Sequence, residues 1–205
     1  MYGLPPSTEV RRPLPKAQLY KKFELKQSQR DAIDADIARM DFVNMIASQT
    51  VPSIAAGNEV KAIFVVEVEL KRKEYDERSI ALIAKLIPQQ IIFALRYGDK
   101  VKLAVYYTKL FVTAWQQAEV ASIRLDGLHL DTVWENIVRA IGNINSSLQF
   151  ANSSLPKSLR DEIKADEERA KLQHQITALQ RQMAVTKQPR RKRELFTQIQ
   201  KLKRP

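Results

Sequence analysis

Three residues at the end of one apolar run have the types and spacing for chemistry. The stretch Val60–Lys71 reads VKAIFVVEVELK. Ile63-Phe64-Val65-Val66 has the character of a strand buried on both faces, and Glu67-Val68-Glu69-Leu70-Lys71 then alternates strictly. Side chains alternate across a strand, so Glu67, Glu69 and Lys71 share one face. Paired carboxylates can hold a divalent cation, and a neighbouring lysine can position or activate an attacking water. Glu69-Leu70-Lys71 is a literal Glu-x-Lys, the pattern of metal-dependent phosphodiester hydrolysis. Asp41, at the head of the upstream run DFVNMIA, is the aspartate available on a preceding strand. Asp41 and Glu69 are then the candidate metal ligands, with Mg²⁺ as the ion. The same alternation also describes a solvated strand end. In that case Glu67 and Glu69 pair with Lys71, Arg72, Lys73 or basic residues of adjacent strands, and no cofactor is expected.

A second group carries charge rather than catalysis. The net charge is +11, and it is unevenly placed. Residues 1–154 hold 20 Lys/Arg and 17 Asp/Glu, a net of +3, whereas residues 155–205 hold 14 and 6, a net of +8. Arg190, Arg191, Lys192 and Arg193 open the last helical stretch, and Lys201, Lys203 and Arg204 close it. Four cations at a helix N-terminus oppose the helix dipole, which prefers anions there. The cluster is therefore a candidate for sequence-independent, salt-sensitive phosphate contact. A solvated arm kept soluble by its cations is the bland alternative. No recognition-helix pattern is present, so no base readout is expected.

The elements that must position these residues follow from periodicity and punctuation. Residues 1–16 hold Pro5, Pro6, Pro13 and Pro15 and read as an extended arm. A short helix is expected over Ala17–Phe23. A second is expected from Ser28 to Arg39, with Ile33, Ile37 and Met40 as its buried stripe and Asp31, Asp34 and Asp36 on a solvated face. Strands are expected at Asp41–Ala47 and Val60–Lys71. Asp76 caps a helix that Pro88 ends. A hairpin joins Ile91–Tyr97 to Val101–Tyr107, and a further strand falls between Val112 and Leu125, interrupted at Gln116–Glu119. Asp131 caps a helix to about Ile144.

This order predicts an α/β domain over residues 17–145: a mixed sheet with flanking helices. The sequence of helix, strand, strand with Glu-x-Lys, helix and strand resembles the restriction-endonuclease-like core. A Ser/Asn-rich linker follows over residues 146–157. Residues 158–205 then carry two short apolar seams, Leu172-Ile176-Leu179-Met183 and Leu195-Ile199-Leu202, separated by a break before Pro189. That is an antiparallel helical hairpin, or short coiled coil.

Composition excludes several classes. There is no cysteine, which removes disulfides and thiol catalysis and fits a reducing cytoplasm. His129 and His174 are far apart, which argues against a histidine metal cluster or a Ser-His-Asp triad. No apolar run is long enough for a membrane span. No glycine-rich phosphate loop occurs. Trp115, Trp134, Tyr106 and Tyr107 read as packing aromatics rather than base-stacking ones.

Several stretches together resemble a bacterial family of uncharacterised domains encoded beside helicases and DNA methyltransferases in restriction or phage-defence clusters. They are Leu4–Val10 with Pro15-Lys16, Val65–Leu70, Ile87–Phe93 and Leu125–Asp131, together with the terminal hairpin. The resemblance implies a partner that is a helicase or methyltransferase, and it supplies no catalytic residues. The leading expectation is a non-catalytic accessory subunit that docks on such a partner and touches DNA through its basic hairpin. A metal-dependent nuclease using Glu67, Glu69 and Lys71 is the second. A structural protein that dimerises through the hairpin is the third.

Overall fold

The computed structural model describes residues 1–144, 158–186 and 188–203. The 146–157 linker and Arg204 lie outside the described residues. The chain divides into two compact units, Met1–Asn145 and Ser146–Pro205.

The first unit is built on a seven-stranded mixed sheet. Its strands are β1 (Glu9–Pro13), β2 (Ile37–Ile46), β3 (Ile63–Leu70), β4 (Gln90–Tyr97), β5 (Lys100–Tyr106) and β6 (Leu110–Val112), in that spatial order. The two-residue β7 (Gln116–Gln117) pairs with β5. Among the named strands, β3 and β4 run parallel, joined by the crossover helix α3 (Glu77–Leu86), and the other pairings are antiparallel. A parallel pair needs such a crossover because a tight turn cannot reverse direction twice.

Helices cover both faces. Helices α1 (Lys16–Phe23), α2 (Gln27–Asp36) and α3 pack on the face presented by Val66, Val68, Leu70, Phe93 and Leu95. Ile33, Ile80, Ile83 and Phe93 are fully buried there. Each such side chain contributes roughly 1.5–3 kcal/mol relative to exposure. Helix α4 (Leu130–Gly142) lies on the other face, where its Ile137 and Ile141 meet Leu103. Ile63, Val65 and Val66 are fully buried in this central strand, as their composition implies, while Phe64 is only partly buried.

The differences from expectation have local causes. The helix expected over Ser28–Arg39 stops at Asp36, and Ile37 already pairs with Leu70 in β2. A register shift between Ile37 and Arg39 lets both Ile37 and Met40 reach the core. Their spacing imitates a helical stripe while belonging to a bulged strand. Asp36 is only 2% exposed, not on a solvated face. Part of the proline-rich arm joins the sheet as edge strand β1, where the missing N–H of Pro13 is tolerated. β7 occupies Gln116–Gln117, inside the stretch expected as an interruption.

The second unit consists of α5 (Leu159–Val185) and α6 (Pro189–Lys203), packed against each other. Ser158 caps α5 by accepting the Asp161 N–H. Pro189 is the first residue of α6, where its missing N–H costs nothing. Ile176, Leu195 and Ile199 are buried, but Leu172, expected in the seam, stays exposed.

Candidate functional site

Two charged regions compete for the role. The first lies at the carboxyl ends of the parallel strands β3 and β4, the end at which open α/β sheets place ligands. Asp41 on β2 sits directly opposite Glu67 on β3, and Arg39 sits opposite Glu69. On the other side, Glu67 pairs with Ala94 and Glu69 with Arg96 of β4. One row across the sheet therefore reads Arg39-Glu69-Arg96, and the next reads Asp41-Glu67. Cross-strand neighbours on one face are close enough to interact.

Most of these charges are already engaged. Arg39 Nε donates to Asp41 Oδ2 at 2.5 Å. The Tyr2 hydroxyl donates to Glu67 Oε2 at 2.5 Å, and Arg96 lies 3.6 Å from Oε1 of the same carboxylate. Tyr2 reaches this point from a tight turn in which it and Gly3 both take left-handed backbone (φ 52° and 68°). The Leu4 N–H closes that turn on the Met1 carbonyl. Burial, then the Glu67 carboxylate, push the Tyr2 phenol well above its ordinary pKa, so it remains a protonated donor. A groove of about 640 Å³ beside Glu67 is lined by Glu9, Arg11, Arg39, Asp41 and the Pro13–Lys16 segment.

Lys71 does not join this group. It lies one residue beyond β3, and its ammonium donates to the Asp34 carbonyl at 2.6 Å. Its backbone N–H donates to the Asp36 carbonyl. A cation at these carbonyls complements the C-terminal end of the α2 dipole. Next to it, Arg72 grips the buried Asp36 carboxylate at 2.5 Å, and the Asp76 N–H takes the other oxygen at 2.8 Å. The structure thus brings Asp41 to Glu67, sets Glu69 between two arginines and directs Lys71 elsewhere. Among the described residues, no three acidic or histidine side chains are grouped so as to hold a metal.

The second region is the solvent face of α6. Leu195 and Ile199 turn inward, so the opposite stripe carries Arg190, Arg193, Glu194, Thr197, Gln198 and Lys201, which line a shallow groove of about 760 Å³. Glu194 is the stripe's acid and lies 3.9 Å from Arg190 and 3.2 Å from Arg191. Lys192, Arg193 and Lys201 have no acidic partner among the described residues. Surface pairs such as Arg190–Glu194 are worth little, so Arg190 is also available to a ligand. Lys203 ends the helix.

Residues 2–205 match the family described as a domain of unknown function, DUF4391. The chain belongs to that family. No curated protein and no solved structure matches it. In this DUF4391 chain the arrangement on β2–β4 holds a sheet end together by internal ion pairing, whereas the arrangement on α6 leaves cations exposed to solvent.

Sequence reasoning missed Tyr2, Arg39 and Arg96, whose roles depend on strand register and on where the N-terminus returns. It also misplaced Asp131. The N-cap of α4 is His129. The Asp131 carboxylate instead accepts the backbone N–H groups of Asn58, Glu59 and Val60, at 2.6 to 3.2 Å. Those bonds hold its carboxyl below the usual range. Gly57 makes the approach possible, since a Cβ there would sit 2.8 Å from the Asp131 nitrogen and collide with its carboxylate. Gly57-Asn58 is a turn-forming pair, but nothing local in the sequence says what that loop encloses. Trp134 is buried, and Lys102 lies 5.2 Å over the partly buried Trp115 ring, so both tryptophans pack.

Proposed function

We propose that this protein is a non-catalytic accessory subunit of a bacterial DNA restriction or phage-defence complex acting in the cytoplasm. Its sheet domain docks on a large DNA-processing partner, a helicase or methyltransferase, and its hairpin touches DNA phosphates through Arg190, Arg191, Lys192, Arg193 and Lys201. The observation that supports this reading is the exposed cations of α6, of which Lys192, Arg193 and Lys201 have no acidic partner among the described residues. Such a surface gives backbone contact without sequence preference. The test is fluorescence anisotropy with the full chain and a 30-base-pair duplex at low salt. Arg190→Gln, Arg193→Gln and Lys201→Gln together are expected to weaken binding about 30-fold or more. An unchanged affinity removes the reading.

A second reading is favoured by one feature, the alignment of Asp41 with Glu67 beside Glu69. In a metal-dependent nuclease these carboxylates would hold Mg²⁺, with Tyr2 and the arginines displaced. That reading requires cutting of DNA in Mg²⁺ or Mn²⁺ that disappears in Glu69→Ala. Intact DNA across duplex, single-stranded and branched substrates eliminates it.

A further inference from the structure

Helix α6 carries an apolar side chain that its packing leaves half exposed. Phe196 is 53% exposed, while its neighbours Leu195 and Ile199 are buried. A helical side chain leans toward the N-terminus and covers the turn before its own Cα. The residues of that turn on its side are Lys192 and Arg193, at i−4 and i−3. Both are exposed, and neither is engaged with the phenyl ring or with an acid among the described residues. An aromatic face left in water beside two unpaired cations is the pairing that single-stranded nucleic acid needs: a platform for a base and charge for the phosphates either side of it. A duplex offers the phosphates but hides its base faces in the stack.

We infer that α6 takes single-stranded DNA, with Phe196 stacking on an unpaired base while Lys192 and Arg193 hold the adjoining phosphates. This rests on the reading of α6 as a DNA-contacting surface and adds to it the form of DNA preferred and the residue that selects it. It also suits a subunit working beside an enzyme that separates or distorts strands, where unpaired bases are exposed.

The experiment compares the full chain with Phe196→Ala, Phe196→Tyr and Arg193→Gln. The probes are a fluorescein-labelled 20-mer of thymidine and a duplex of the same length, titrated from low to moderate salt. Phe196→Ala is expected to lose about 10-fold in affinity for the single strand, from the stacking of one base. It should keep its duplex affinity within about twofold and leave the salt slope unchanged. Phe196→Tyr should restore single-strand binding. Arg193→Gln should lower the single-strand salt slope by about 0.7, the contribution of one phosphate contact. Equal losses on both probes, or none on either, overturn the stacking role while leaving the phosphate-binding surface standing. A wild-type chain that binds neither probe overturns both. Phe196 is half exposed, so circular dichroism of the alanine variant should match the parent and exclude misfolding as the cause.

Discussion

At the carboxyl end of β3, most charged side chains find partners elsewhere in the same domain, and Glu69 is left exposed between Arg39 and Arg96. Glu67 takes the Tyr2 hydroxyl and lies by Arg96, Asp41 takes Arg39, and Lys71 closes on the Asp34 carbonyl. On α6 the balance is reversed. One acid, Glu194, lies between two arginines, and Lys192, Arg193 and Lys201 face solvent without an acidic partner among the described residues. Charge of the first kind is consumed in holding the fold. Charge of the second kind is left for something outside it. The motif that looks most like an active site is thus the less available of the two regions.

The comparison is sharpened first by removing a charge that the sheet domain consumes. Asp36→Ala deletes a buried carboxylate that ties Arg72 and the Asp76 N–H to the end of α2. A loss of about 3 kcal/mol is expected in urea unfolding, because buried donors lose their acceptor. A loss below about 1 kcal/mol would mean that these charges are not structural. Second, reversing Arg190 and Arg193 to Glu should abolish duplex binding, a drop of about 100-fold, with no change in the unfolding midpoint. A drop in the midpoint instead would place α6 with the structural charges.

Third, Asp131→Ala should cost about 2 kcal/mol, since three backbone N–H groups lose a charged acceptor. The pH dependence has a definite sign. The Asp131 carboxyl is held below its ordinary value in the folded state by the Val60, Asn58 and Glu59 N–H groups, against a smaller opposing effect of burial. Asp34 is lowered as well, chiefly by Lys16. These groups stabilise fully above the unfolded value of about 3.9, and the contribution is lost as pH falls through the folded one. Thermal melts from pH 6 down to pH 2 should therefore show a shallower acid loss in Asp131→Asn than in the parent. Identical pH profiles would show that the loop is held by other contacts. Smallest of the set, Tyr2→Phe should lower stability by about 1.5 kcal/mol through loss of the bond to Glu67. No change would leave Glu67 as free as the cations of α6.

What could be read in the sequence was local. Asp76 caps α3 by accepting the Arg78 N–H, and the helix ends just before Pro88, because both signals act within a few residues. Pro189 opens α6 for the same reason. The hairpin between β4 and β5 follows from the two-residue Gly98-Asp99 turn, across which Tyr97 pairs with Lys100. What could not be read depends on distant parts meeting. A bulge near Ile37 made strand spacing look helical. Asp41 faces Glu67 rather than Glu69 because of a register that neither strand encodes alone. Tyr2 reaches Glu67 across 65 residues of chain. The basic stripe was legible as composition, but its availability was not, because that depends on which acids lie nearby in space.

The claim that α6 holds the available charge is tested most directly by the salt dependence of duplex binding by the full chain. A plot of log K against log salt from about 50 to 200 mM should fall with a slope near −3 to −4, as about four phosphate contacts require. The slope should be unchanged by Glu67→Gln and Glu69→Gln and reduced by about 2 in the Arg190→Gln, Arg193→Gln variant. A flat plot, or a slope that responds to the β3 carboxylates and not to α6, would contradict the account.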